Sequence, residues 1–149
     1  MATVRLSFTP APAHVRTARL VGVAVARRAG VPEADLDEVR LAIGEACSRA
    51  VALHRRYALT DLVEVELYDE AQFTVRVTDR APADVGGTAM PLAALIDQSD
   101  GGDVVDEEDV AVEMGLALLA GVVKDLSVRP APAGVGTEVQ MSWPTVPQR

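Results

Sequence analysis

Four stretches of the chain alternate apolar and polar residues with a period of two, the repeat of a strand that buries one face. Val4, Leu6 and Phe8 alternate with Arg5, Ser7 and Thr9. Val63, Val65 and Leu67 alternate with Glu64, Glu66 and Tyr68, and Phe73, Val75 and Val77 with Thr74, Arg76 and Thr78. Asp69-Glu70-Ala71 between the last two reads as a short hairpin connection. Ser127 to Arg129 and Thr137 to Trp143 read as a final hairpin, with Val139, Met141 and Trp143 inward and the Pro/Gly-rich run Pro130 to Gly136 turning the chain. Strands that all alternate need an apolar cover on one sheet face and leave the other for solvent or an interface.

Helical patterns supply that cover. From about Ala13 to Ala29, Val15, Ala18, Val21, Gly22 and Val25 recur at helical spacing; Arg27 and Arg28 suit the negative end of the helix dipole, and Gly30 suits a C-terminal cap. Val31-Pro32-Glu33 opens a second helix striped by Leu36, Val39, Ile43, Cys47 and Ala50. Gly115, Leu118, Leu119, Val122 and Leu126 mark a third. The order strand, helix, helix, strand, strand, loop, helix, strand, strand predicts an α+β chain: a two-layer α/β sandwich with a mixed, mostly antiparallel sheet and its helices on one face. With 149 residues this is one domain, placed at 1–143, and a tail at 144–149 expected to fray.

Charge and cysteine content narrow the function classes. A formal charge of -8 opposes nonspecific attraction to nucleic acid or anionic lipid. No apolar run approaches the roughly 20 residues that span a bilayer, and MATVRLSFTP lacks a signal-peptide core, so the expected compartment is the cytoplasm. Cys47 alone makes no internal disulfide; with only His14 and His54 as nitrogen ligands, no metal site is expected. From Ala81 to Val123 there is no Lys or Arg, but there are nine acids, from Asp84 to Glu113. With Gly86-Gly87 and Gly101-Gly102 inside it, this stretch reads as a solvated connection or a surface for a basic partner.

Glu45 and Arg49 lie four apart on the second helix, off the apolar stripe. As local chemistry they read as an exposed helical ion pair worth a few tenths of a kcal/mol, about 0.3. Their surroundings carry more. The stretch Leu36-Asp37-Glu38-Val39-Arg40-Leu41-Ala42-Ile43-Gly44-Glu45-Ala46-Cys47-Ser48, the strand ending in Asp79, the run from Gly115 through Lys124-Asp125-Leu126-Ser127-Val128, and Gly136-Thr137-Glu138-Val139 occur in an order that resembles the anti-sigma-factor serine kinases of the RsbW type. Those belong to the GHKL ATP-binding superfamily with gyrase and the histidine kinases. The resemblance implies a histidine-kinase-like ATPase (Bergerat) fold and a nucleotide pocket comprising Asp79, Arg49, Gly115 and Thr137.

In that family the helix carries Glu-x-x-x-Asn, the glutamate serving as base for a serine hydroxyl and the asparagine oxygen holding magnesium. Glu45 matches the glutamate, and Arg49 stands at the asparagine position. A guanidinium has five donors and no acceptor, so it cannot ligate a cation. The family's Asp-x-Gly-x-Gly becomes Asp79-Arg80-Ala81-Pro82-Ala83, which keeps the adenine-reading aspartate and loses both glycines; taken alone, Asp79 also reads as a turn or cap residue. The later Gly-x-Gly becomes Glu113-Met114-Gly115, placing a carboxylate beside the expected phosphate position. At an effective dielectric constant of about 20, like charges about 4 Å apart repel by roughly 4 kcal/mol. The expectation is no cofactor, or weak ATP without magnesium.

The first helix offers Arg16 and Arg19 near its start, preceded by His14, which on spacing alone read as ordinary solvated charge. The resemblance implies a homodimer and gives the position of Arg19 contacts with a sigma factor and its competing anti-anti-sigma (STAS-domain) protein; Arg16 and His14 come with it as neighbours. Three functions stay open at this point. One is an anti-sigma-like binding module in a partner-switching system, with kinase chemistry lost or weak. A second is an active ATP-dependent serine kinase of an anti-anti-sigma factor, and a third is a pocket taking a different, metal-free ligand through Arg49 and Asp79.

Overall fold

A computed structural model describes residues 3–82 and 107–146. Most of the acidic stretch, including Asp84 and both Gly-Gly pairs, lies outside the described residues, as does the side chain of Glu113. The elements are β1 (Val4–Phe8), α1 (Pro12–Ala29), a single 3-10 turn (Glu33–Asp35), α2 (Leu36–Arg56), β2 (Val63–Asp69), β3 (Gln72–Thr78), α3 (Glu107–Val122), β4 (Asp125–Pro130) and β5 (Thr137–Pro144).

The strands form one sheet in the order β1-β2-β3-β5-β4. All four pairings are antiparallel, so the described sheet is purely antiparallel rather than mixed. Register follows the alternation: Val65 faces Val77, Val75 faces Met141 and Phe73 faces Trp143. This puts Val63, Val65, Leu67, Phe73, Val75, Val77, Val139, Met141 and Trp143 on one buried face. The helices cover it, with α2 packed against both α1 and α3. Leu36, Val39, Ile43, Cys47 and Ala50 are all buried, as the stripe requires.

Two features fix the helical layer. Gly22 of α1 sits so close to Ile43 of α2 that a Cβ at position 22 would overlap the Ile43 side chain. Trp143 donates its indole N–H to Glu38 Oε1 at 3.0 Å, satisfying a buried donor and tying β5 to the start of α2. The opposite sheet face is polar and paired with itself: Glu138, 5% exposed, accepts from Arg76 at 3.0 Å and Arg129 at 2.9 Å.

A second expectation changes. Leu126 belongs to β4, opposite Met141, and not to the third helix; the helix ends at Val122 because the strand period of Leu126 and Val128 has a partner in β5, which outweighs a spacing of four from Val122. At the first residues of the tail, Val146 donates its N–H to the Gly30 carbonyl at 2.8 Å and the Thr145 hydroxyl donates to the Ala71 carbonyl at 3.3 Å.

Candidate functional site

The last turns of α2, the end of β3, the start of β5 and the middle of α3 meet at one place. Four residues expected in a nucleotide pocket converge there. Arg49 Nη1 lies 3.3 Å from Asp79 Oδ2, with the Arg49 side chain 11% exposed and that of Asp79 2%. Gly115 of α3 faces the Arg49 stem: a Cβ built on it would sit 3.5 Å from Arg49 Cβ. Asp79 donates its N–H to the Thr137 carbonyl at 3.0 Å. Next to Thr137, Gly136 has φ +102° and runs so close to the Asp79 carbonyl that any side chain there would collide with it.

Glu45 lies one turn before Arg49 on α2 and is half-buried. Among the described residues it forms no ion pair with Arg49, so the exposed helical pair does not exist; the guanidinium turns inward to the stronger, desolvated partner.

The Asp79 carboxylate is spoken for on both oxygens. Oδ2 takes Arg49, and Oδ1 accepts the Ala81 N–H at 3.0 Å in an Asx-type turn. Burial pushes its carboxyl above the ordinary range, against the opposing pull of the Arg49 charge and of the Ala81 hydrogen bond. The backbone that follows is committed as well: the amides of Asp79, Arg80 and Ala81 each donate inside the protein, and Pro82 has none to give.

His54, in the last turn of α2, is the residue sequence reasoning missed. Read there as a spare nitrogen ligand, it is fully buried, and both ring nitrogens are used by backbone. Arg80 donates its N–H to Nε2 at 2.9 Å, which leaves Nδ1 to carry the proton and donate to the Asp61 carbonyl at 3.0 Å. One histidine therefore joins the entrance of β2 to the exit of β3, immediately beside Asp79. Its only sequence signal is a polar residue following Val51, Ala52 and Leu53 in an apolar turn.

A family model described as a histidine kinase-like ATPase domain matches residues 8–143. The chain belongs to this family. No curated protein matches it closely enough to count as a relative. Within this histidine kinase-like ATPase domain, the donor set at position 49 does not fit a magnesium ion, because a guanidinium supplies no oxygen and brings a positive charge. Among the described residues, no group of three or more His, Cys, Asp or Glu side chains is placed to hold a metal, and no helix is long and apolar enough to cross a membrane.

The three α1 residues singled out for partner contact are all exposed. His14 packs its ring against Phe8 with centroids 6.0 Å apart and lines an open groove of about 410 Å³ with Leu6, Phe8, Thr17, Ala18 and Leu62. Arg16 and Arg19 follow on α1. That helix carries four arginines, Arg16, Arg19, Arg27 and Arg28, and no acid, within a chain whose net charge is -8.

Proposed function

We propose that this histidine kinase-like ATPase domain is an anti-sigma-like regulator. It binds a sigma factor, an anti-anti-sigma (STAS-domain) protein, or each in turn, through the exposed face of α1 around Arg19, with Arg16 and His14 beside it. Its ATP binding and serine-kinase chemistry are lost or greatly weakened, and it acts as a homodimer in the cytoplasm.

The observation that carries this reading is the Arg49–Asp79 contact. In an active site of this family the carboxylate at Asp79 would read adenine, and the residue at 49 would hold the metal between phosphates. Here those two positions are engaged with each other. A nucleotide would have to break a buried ion pair to reach the aspartate and would still find no oxygen ligand for magnesium. The basic, acid-free α1 supports a protein-binding role, since arginine pairs a partner carboxylate bidentately while its stem packs.

Calorimetric titration with ATP and magnesium, beside a radiolabel transfer assay on an anti-anti-sigma domain, tests the reading. Silence in both is expected, together with loss of partner capture by Arg19→Glu in a protein that still folds. Micromolar, magnesium-dependent binding with phosphoryl transfer that disappears in Glu45→Ala would establish the kinase instead.

A further inference from the structure

Arg19 is exposed, yet its stem does not wave in solvent. It lies across α2 at Gly44, where a Cβ added to the glycine would come 2.9 Å from Arg19 Cδ, 3.5 Å from Cγ and 3.7 Å from Nε. The guanidinium is also near enough to Cys47, one turn along α2, for its charge to be felt there: burial pushes that thiol up to about 12, and Arg19 draws it back down.

A glycine inside the 21-residue helix α2 weakens the helix relative to alanine. Its neighbours Ile43 and Ala46 show that side chains are accommodated on either side. What position 44 gains from having none is the direct seat for Arg19. The contact restricts a side chain that otherwise carries close to the largest rotamer entropy of any residue, so less is lost when it engages a partner.

We propose that Gly44 is the positioning residue of the α1 docking face: its bare backbone seats the Arg19 stem and presents the guanidinium to a carboxylate on a protein partner. The proposal rests on the reading of Arg19 as a partner anchor. It makes affinity depend on a glycine that the partner does not touch.

Gly44→Ala separates the two roles, because the added methyl meets the movable part of an arginine side chain and not backbone, so the fold is retained. The Nε–Hε relaxation of ¹⁵N-labelled arginine reads the seat. Surface-immobilised recombinant sigma factors and anti-anti-sigma domains, each offered singly, read the docking. Expected are an ordered Arg19 Nε in the parent that becomes mobile in Gly44→Ala, an unchanged or higher melting temperature, and an affinity weakened about tenfold. In the Arg19→Ala background, Gly44→Ala should add nothing. Equal Arg19 mobility in parent and variant overturns the seat. Weakening by Arg19→Ala but not by Gly44→Ala overturns the positioning role and leaves the docking reading standing. Further loss from Gly44→Ala in the Arg19→Ala background shows that the methyl blocks the partner directly, which also overturns positioning. No effect of Arg19→Ala, or capture of no protein in the panel, overturns the docking reading and this proposal with it.

Discussion

Arg49 on α2 and Asp79 at the end of β3 meet at 3.3 Å inside the cleft, with neither side chain more than 11% exposed. Two residues thirty positions apart in the sequence are thereby joined where α2, β3, α3 and β5 meet. Removing the Arg49 charge leaves the buried Asp79 carboxylate without its cation, at a cost of about 3–5 kcal/mol, whereas replacing both members of such a pair with residues of similar shape is often close to neutral.

Arg49→Met should therefore lower stability at neutral pH by about 3 kcal/mol, and adding Asp79→Asn to it should recover much of that loss, because the amide buries no charge. Urea denaturation of the four proteins measures this. Additive losses would mean that the two side chains do not depend on one another.

Asp79 gives the cleft a pH signature. Its carboxyl is raised in the folded protein, chiefly by burial, so the folded state holds the proton more tightly than the unfolded chain does. The stability this group contributes is fully present below the ordinary carboxylate range and is lost as pH rises through the raised value. Measured against Asp79→Asn, which does not titrate, the parent should gain relative stability as pH falls through that window. Chemical denaturation across acidic pH checks the sign, and a relative loss on acidification would show that the Arg49 charge outweighs burial.

Much of this architecture was legible because the period-two and period-3.6 patterns are direct consequences of one-sided burial. The stripe from Leu36 to Ala50 and the inward sets of β2, β3 and β5 all lie where the patterns place them. Leu126 was misread because a single apolar residue four positions after a helix satisfies both periods, and only its partner Met141, far along the chain, decides between them. The convergence of Arg49, Asp79, Gly115 and Thr137 was legible only through resemblance to a family. What the arginine does there was not, because a long side chain can reach solvent, phosphate or carboxylate from the same Cα. His54 was illegible for a similar reason: its partners are the backbone groups of Asp61 and Arg80, which have no residue-type signature.

If the missing oxygen at position 49 is what excludes magnesium, restoring it should matter more than removing the cation. Arg49→Asn supplies an amide acceptor, and Arg49→Ala supplies none. Calorimetry with ATP and magnesium should show binding to the asparagine variant tighter by about tenfold, or about 1.4 kcal/mol. Without magnesium the two variants should converge. Equal binding in its presence would show that the backbone after Asp79, committed to Thr137, His54 and Asp79 itself, is the real obstacle.

The clamp at His54 makes the last prediction. The ring is fully buried, with a backbone N–H donated to one nitrogen and a backbone carbonyl accepting from the other. His54→Leu fills the space but strands the Arg80 amide and the Asp61 carbonyl, each costing about 1–3 kcal/mol when left unsatisfied. His54→Gln keeps a donor and an acceptor on one side chain and should recover part of the loss. Because Arg80 is held next to Asp79, the leucine variant should also loosen the Asp79 turn, so amide hydrogen exchange at Arg80 and Ala81 should accelerate more than exchange in β2. Uniform acceleration across the sheet, with no rescue by glutamine, would show that His54 contributes only as packing and does not hold the strand end in place.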